Sequence, residues 1–76
     1  MDLSEKIISI IEKYVEQNII IKPEYNLIED LGIDSFGRLM IINDIEDEFK
    51  ISIAEEDLNN IKTVNDIILN LKKTVK

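Results

Sequence analysis

Ser35 is the residue whose type and position most clearly allow chemistry. It follows Asp34 in the run Leu-Gly-Ile-Asp-Ser-Phe over residues 31–36, where an irregular segment is predicted to turn into a helix. A serine nucleophile needs an adjacent base and a third group that orients the base. The chain has no histidine or cysteine, and the spacing of its lysines and carboxylates suggests no base. We therefore interpret Ser35 as an attachment point that another protein modifies, and we predict no catalytic residue.

A calcium-binding loop is a competing interpretation of the acids around Ser35. Such a loop needs glycine at its sixth position and a bidentate glutamate at its twelfth. Counted from Asp30, these positions hold Ser35 and Ile41. The motif fails, and no metal site is predicted.

Length and composition indicate one small domain over residues 1–76. A chain of this size buries about 60% of the surface that its unfolded form exposes, so a deep enzymatic cleft is not expected. A hydrophobic content of 45%, with seventeen isoleucines, is sufficient for a core. The absence of cysteine fits a reducing compartment. No apolar run approaches a membrane span, and the first residues lack the basic start of a signal peptide. We therefore expect a cytoplasmic protein.

The net charge of −7 is unevenly distributed. Residues 29–57 contain ten acids and two bases, a net charge of −8, whereas the remaining residues contain six acids and seven bases. This pattern argues against nucleic acid or a membrane as a partner and favours proteins with basic surfaces. A solvated acidic surface that only keeps the protein soluble is the alternative.

The first half of the chain predicts a helix followed by a long loop. A helix over residues 3–17 is indicated by apolar residues at helical spacing and by Asp2 and Glu5, which have the spacing of a capping box. Residues 18–34 have no sustained period but contain many apolar side chains. We predict a loop packed by its own side chains, with a short strand over residues 19–21 as the alternative.

The second helix is predicted to run from Ser35 to about Phe49, with Asp34 as its N-cap. The face predicted to meet the core consists of Leu39, Ile42, Ile45 and Phe49. A second stripe contains Phe36 and Met40, which are predicted to be exposed beside Ser35 as a docking surface. The alternative is that Phe36 folds back onto the loop.

Two further helices complete the predicted fold. Ser52 with Glu55 and Thr63 with Asp66 have the spacing of capping boxes, which predicts a short third helix through Leu58 and a fourth helix from about residue 64 onward. Lysines near the chain end suit the negative end of the fourth helix dipole. The sequence thus predicts an all-α fold: a small four-helix bundle of three main helices and one short helix, with a long loop between helices one and two.

The run over residues 31–36, followed by apolar residues at positions 39, 42, 49, 51 and 53 and by the acids at 46–48, resembles the acyl carrier protein family. The likeness covers nearly the whole chain. In that family the serine after the aspartate carries 4′-phosphopantetheine, which a phosphopantetheinyl transferase attaches from coenzyme A. Ser35 occupies this position. The resemblance implies a carrier that is not an enzyme and that presents acyl thioesters to enzymes of fatty-acid or related acyl biosynthesis.

The resemblance also implies which residues partners would contact. Asp34 would assist recognition by the transferase, and Phe36 and Met40 would supply apolar contact. The acids expected to meet basic residues on acyl-transferring synthase enzymes are Asp44, Asp47 and Glu48. We expect the carrier to be a monomer.

Some positions depart from the family pattern. Phe36 stands where leucine is common, Gly37 where an acid is often found, and Met40 where fatty-acid carriers commonly have glutamate. The run over residues 34–37 is similar to D-alanyl carrier proteins, so an aminoacyl carrier, or a carrier for nonribosomal peptides or polyketides, is an alternative. The non-carrier alternative is an unmodified acidic adaptor domain, in which Ser35 would be dispensable.

Overall fold

The computed structural model describes residues 2–16 and 18–74, which form four helices. They are α1 (Leu3–Glu12), α2 (Ser35–Phe49), α3 (Glu55–Leu58) and α4 (Val64–Thr74). Residues 19–21 do not form a strand, and the β-type pairing within the described ranges is an isolated antiparallel bridge between Asn26 and Thr63. The predicted all-α fold is therefore confirmed, and the alternative of a strand is wrong.

Helix α1 begins as predicted and ends earlier. The carboxylate of Asp2 accepts the N–H of Glu5 at 2.9 Å, and the Glu5 side chain reaches back to the N–H of Asp2 at 3.5 Å. After Glu12 the chain tightens into a turn, in which the N–H of Tyr14 donates to the Ile11 carbonyl three residues back, at 2.9 Å. The apolar spacing thus extends beyond the α-helix itself. The last residue of the predicted helix, residue 17, lies outside the described ranges.

The core is aliphatic and is built from the three longer helices together with the long loop. Within the described ranges, no polar or charged residue is buried. The loop contributes four buried side chains to this core: Ile21, Leu27, Leu31 and Ile33. Backbone hydrogen bonds also join the loop to the start of α4, with the N–H of Leu27 donating to Lys62 at 2.9 Å and the N–H of Val64 donating to Tyr25 at 3.0 Å. The prediction of a loop packed by its own side chains is confirmed.

The buried face of α2 differs from the prediction. The buried residues of α2 are Ile41, Ile42 and Ile45, and Phe49 is half-buried. Leu39, which was predicted to face the core, is 50% exposed. The buried stripe therefore includes Ile41 in place of Leu39, so the helix is rotated slightly about its axis relative to the prediction.

The two later helix starts have different outcomes. The N-cap of α3 is Ala54, which makes no side-chain cap, so the capping box predicted for Ser52 and Glu55 is wrong. The segment before α3 is instead bound by a distant residue, because the carboxylate of Glu46 in α2 accepts the N–H of Ile53 at 2.8 Å. At α4, the capping box between Thr63 and Asp66 forms as predicted. Residues 75 and 76, including the last predicted basic residue, lie outside the described ranges.

Candidate functional site

The last turn of the long loop delivers the chain to the start of α2. Gly32 has φ +69°, a left-handed conformation that glycine adopts without the strain other residues incur. The next residue, Ile33, is buried, and its N–H donates to the Leu27 carbonyl at 3.0 Å. These two features fix Asp34 in the extended conformation of an N-cap, with φ −80° and ψ 177°. The position of Ser35 is therefore set by a packed loop.

Asp34 caps α2 as predicted, but only partially. Its Oδ1 accepts the N–H of Gly37 at 2.7 Å, and its carbonyl accepts the N–H of Arg38 at 2.9 Å. No reciprocal bond to the N–H of Asp34 is possible from Gly37, because glycine has no side chain. Within the described ranges, the N–H groups of Ser35 and Phe36 have no hydrogen-bond partner. This helix start therefore retains free donors.

Ser35 is the first residue of α2 and is exposed. The first turn of α2 contains no acidic side chain. Free N–H groups and the positive end of the helix dipole both favour an anion at this position. A phosphodiester on the Ser35 hydroxyl therefore fits the residues that are present, with the carboxylate of Asp34 as the adjacent negative charge.

Packing at the start of α2 explains why position 37 is glycine, which the sequence alone did not indicate. A Cβ atom at this position would lie 2.8 Å from Cγ2 of Ile33 and 3.2 Å from Oδ1 of Asp34. The first distance is shorter than two carbon atoms tolerate, and Ile33 is buried. The absent side chain therefore lets the buried loop residue and the capping carboxylate approach the first turn of α2.

An open depression lies beside this helix start. It has a volume of about 280 Å³, and Tyr14, Leu31, Asp34 and Gly37 are among the residues that line it. Its walls include no lysine or arginine. The carboxylate of Asp34 in this lining is engaged as the cap of α2, where it accepts the N–H of Gly37.

Three apolar side chains near Ser35 are exposed, and we call them the apolar patch: Phe36, Leu39 and Met40. Their exposed fractions are 71%, 50% and 37%. The predicted exposure of Phe36 and Met40 is confirmed, and the alternative that Phe36 folds back onto the loop is wrong. Leu39 was missed because it was assigned to the core. The apolar patch occupies the N-terminal half of α2.

The acids predicted to meet partners do not share one environment. Asp47 and Glu48 are exposed on the C-terminal half of α2. Asp44 is half-buried, and its carboxylate accepts a hydrogen bond from the hydroxyl of Tyr14, which follows α1. This hydrogen bond, together with desolvation and the nearby negative charge, raises the pKa of Tyr14 above its ordinary value. Asp44 therefore has a hydrogen bond within the chain that Asp47 and Glu48 do not make to any residue in the described ranges.

Arg38 had no predicted role, but it makes three side-chain hydrogen bonds to the backbone. Its Nε and Nη2 donate to the Ile61 carbonyl at 3.1 and 3.0 Å, and Nη2 also donates to the Leu58 carbonyl. Arg38 precedes Ile41, Ile42 and Ile45 by three, four and seven residues, so it lies on the core-facing stripe. A charged residue on such a stripe needs polar partners, and this position was the signal that could have identified the contact.

Residues 2–16 and 18–74 contain neither a metal-binding cluster nor a helix that could span a membrane. No group of three or more histidine, cysteine, aspartate or glutamate side chains is arranged to hold a metal ion. In the same part of the chain, every helix is too short or too polar to span a bilayer.

Comparisons with known proteins agree with this geometry. The family model described as a phosphopantetheine attachment site matches residues 5–71. An acyl carrier protein homologue of Mycoplasmopsis pulmonis is 37% identical over the full length of both chains. An acyl carrier protein of Syntrophus aciditrophicus is 40% identical, covering 95% of this chain and 91% of that protein. A solved structure of a candidate acyl carrier protein from Mycobacterium tuberculosis superimposes with a TM-score of 0.89 at 33% identity, covering 96% of this chain and 99% of the other.

The fold and the family match define a phosphopantetheine-bearing carrier domain. More narrowly, the chain belongs to the acyl carrier protein family. Members of this family are carriers rather than enzymes, and they hold acyl groups on a covalently attached 4′-phosphopantetheine. When attached, this group supplies a terminal thiol that forms thioesters with acyl groups. A phosphopantetheinyl transferase and acyl-processing enzymes are therefore the classes of partner.

Proposed function

We propose that Ser35 is the residue that carries 4′-phosphopantetheine. The observation that carries this proposal is the open start of α2, where an exposed serine lies beside unpartnered N–H groups and a single capping carboxylate. A phosphodiester at this position is an anion at a helix N-terminus, which the helix dipole stabilises. The helix also gives the long arm a rigid base, since residues 35–49 form one continuous helix packed on the core.

The same helix is the proposed recognition surface. Asp34, beside the attachment residue, assists the transferase, and Phe36 and Met40 of the apolar patch make nonpolar contacts. Asp47 and Glu48 attract basic residues on partner enzymes. Asp44 contributes negative charge to the same surface while its carboxylate is held by Tyr14.

The carrier works in fatty-acid or related acyl biosynthesis, as a monomer in the cytoplasm. This proposal is supported by family membership and by the curated relatives, which are acyl carrier proteins. Net negative charge concentrated in residues 29–57 suits transient docking to several basic partners in turn. The cargo is set by those partners.

The proposal is tested by intact mass spectrometry after incubation with coenzyme A and a broad-specificity phosphopantetheinyl transferase. Wild type is expected to gain the mass of one phosphopantetheinyl group, and Ser35→Ala is expected to gain none. Ser4→Ala is the matched control, because Ser4 also lies in the first turn of a helix, one whose capping box is closed. A wild type that gains no mass would support the unmodified adaptor instead.

An aminoacyl carrier is a second candidate, favoured by the glycine at position 37 and the exposed Met40. After phosphopantetheinylation, the two candidates separate by which activating enzyme loads the thiol. Loading by a fatty acyl–carrier synthetase supports the acyl carrier, whereas loading by a D-alanine-activating ligase alone supports the aminoacyl carrier. Covalent loading is measured by intact mass.

A further inference from the structure

Helix α3 is held in place mainly by its flanks. It has four residues, none of them buried, and its N-cap Ala54 makes no side-chain hydrogen bond. The buried residues nearest to it are Ile53 before the helix and Ile61 after it. The core therefore anchors the two ends of this segment and leaves the helix itself on the surface.

Two polar side chains of α2 bind the same two flanks. Glu46 accepts the N–H of Ile53 at 2.8 Å on the approach to α3, and Arg38 donates to the carbonyls of Leu58 and Ile61 on the exit. Arg38 and Glu46 are eight residues apart, which corresponds to about 12 Å along a helix. Both contacts are partly buried, where hydrogen bonds to a charged group contribute more than at a fully exposed site.

We propose that Arg38 is a positioning residue. Its guanidinium holds residues 58–61 against the first turns of α2, and so fixes α3 relative to Ser35, which lies one turn before Arg38 on the same helix. The exposed acids Glu55 and Glu56 of α3 are thereby held at a constant distance from the attachment serine. A partner that contacts both helices while acting on Ser35 meets a preorganised surface, which lowers the entropic cost of docking.

Arginine is suited to this role in a way that lysine is not. The guanidinium is a planar fork with five donors, and here two of its nitrogens reach two different carbonyl oxygens. An ammonium group is a compact charge that cannot span both oxygens with the same geometry. Arg38→Lys should therefore retain part of this contact. Arg38→Met, which keeps the approximate length of the side chain, should retain none of its hydrogen bonds.

The first measurement is hydrogen exchange of peptides covering residues 55–61, compared with peptides from α1 and α4. We expect Arg38→Met to accelerate exchange in residues 55–61 by about tenfold, the effect of losing a charge-assisted hydrogen bond. Arg38→Lys should give an intermediate rate. Lys22→Met, which removes an exposed positive charge in the long loop, is the control and should match wild type. Unchanged exchange in residues 55–61, or equal acceleration along the entire chain, would overturn the proposal.

The second measurement is the steady-state kinetics of phosphopantetheinylation, which rests on the proposed function of Ser35. Arg38→Met should raise the KM for the carrier while leaving kcat close to that of wild type, and Arg38→Lys should lie between them. A fall in kcat with unchanged KM would contradict a positioning role. If wild type is not modified at all, the proposed function fails, and hydrogen exchange still decides whether Arg38 holds α3.

Discussion

The starts of α2 and α4 use similar residues in different ways. At α4, Oγ1 of Thr63 accepts the N–H of Asp66 at 3.0 Å, and the Asp66 carboxylate accepts the N–H groups of Thr63 and Lys62, each at 2.9 Å. At α2, the carboxylate of Asp34 accepts one N–H, from Gly37, which has no side chain to reach back. The first two helical N–H groups of α4, those of Val64 and Asn65, donate to the loop carbonyls of Tyr25 and Pro23. Within the described ranges, the corresponding N–H groups of Ser35 and Phe36 in α2 remain free beside an exposed serine.

This difference distinguishes a structural cap from a site prepared for modification. At α4 the capping box satisfies the N–H groups of Thr63 and Asp66, the loop carbonyls satisfy those of Val64 and Asn65, and the Asp66 carboxylate lies at the positive end of the dipole. An attached phosphodiester needs that same position. The α2 start is therefore stabilised by the packed loop and a single carboxylate, which leaves room for an external anion.

Among the variants considered, the largest loss of stability is expected from a substitution in the capping box of α4. Asp66→Ala removes the acceptor of two N–H groups and half of the capping box, and should lower the free energy of unfolding by about 1 to 2 kcal/mol. Urea denaturation followed by circular dichroism measures this change. The folded variant should still be modified at Ser35 at the wild-type rate, and a selective loss of modification would contradict the separation between the two starts.

The Asp66 carboxylate at the start of α4 should also make the free energy of unfolding depend on pH. Burial tends to raise the pKa of Asp66, but hydrogen bonds from Thr63 and Lys62 outweigh it and lower the pKa below its ordinary value of 3.8. The folded protein therefore favours the carboxylate, and the resulting stability is present above pH 3.8 and is lost as the pH falls through the lowered pKa. The difference in the free energy of unfolding between wild type and Asp66→Asn should therefore become smaller as the pH falls below 3.8. A difference that stays constant would show that the charge of Asp66 does not contribute.

Gly37→Ala tests whether the close packing at the start of α2 requires glycine. Helix propensity alone favours alanine by up to about 1 kcal/mol. The close approach to Ile33 and Asp34 opposes this gain, and overpacking costs about 1 to 3 kcal/mol. We therefore expect net destabilisation of about 1 kcal/mol in urea denaturation. Stabilisation by alanine would mean that Ile33 can shift freely and that the glycine has no packing role.

The smallest change in stability is expected from the cap of α2. Asp34→Ala should lower the free energy of unfolding by about 0.5 to 1 kcal/mol, whereas Asp34→Asn should retain most of the cap. If the charge of Asp34 assists the transferase, both variants should be modified more slowly than wild type, as measured by intact mass over time. Wild-type rates for Asp34→Asn would restrict Asp34 to capping.

The helix caps predicted from local spacing at Asp2, Asp34 and Thr63 were confirmed, whereas the one predicted at Ser52 was wrong. The caps at Asp2, Asp34 and Thr63 involve residues within three positions of one another, so their spacing alone encodes them. The end of α1 was placed too late because the turn through Tyr14 continues the apolar spacing without α-helical hydrogen bonds. Local spacing thus identified the caps of the three longer helices, but not the cap of α3 or the end of α1.

The features that the sequence did not predict depend on residues distant in the chain. Glu46 binds the N–H of Ile53 ahead of α3. Arg38 can lie on the core-facing stripe because carbonyls twenty or more residues away accept its donors. The partial burial of Asp44 likewise depends on Tyr14, thirty residues earlier. Spacing within one helix can show that a charged residue such as Arg38 needs polar partners, but it does not identify those partners.

The central claim is that the open start of α2 is the attachment site, and site-localised mass spectrometry tests it most directly. Wild-type protein treated with coenzyme A and a phosphopantetheinyl transferase would be digested, and the modified peptide fragmented to locate the added group. We predict that the phosphopantetheinyl group is found on Ser35 alone. Its location on Ser4, Ser9 or Ser52, or its absence from every peptide, would contradict the account.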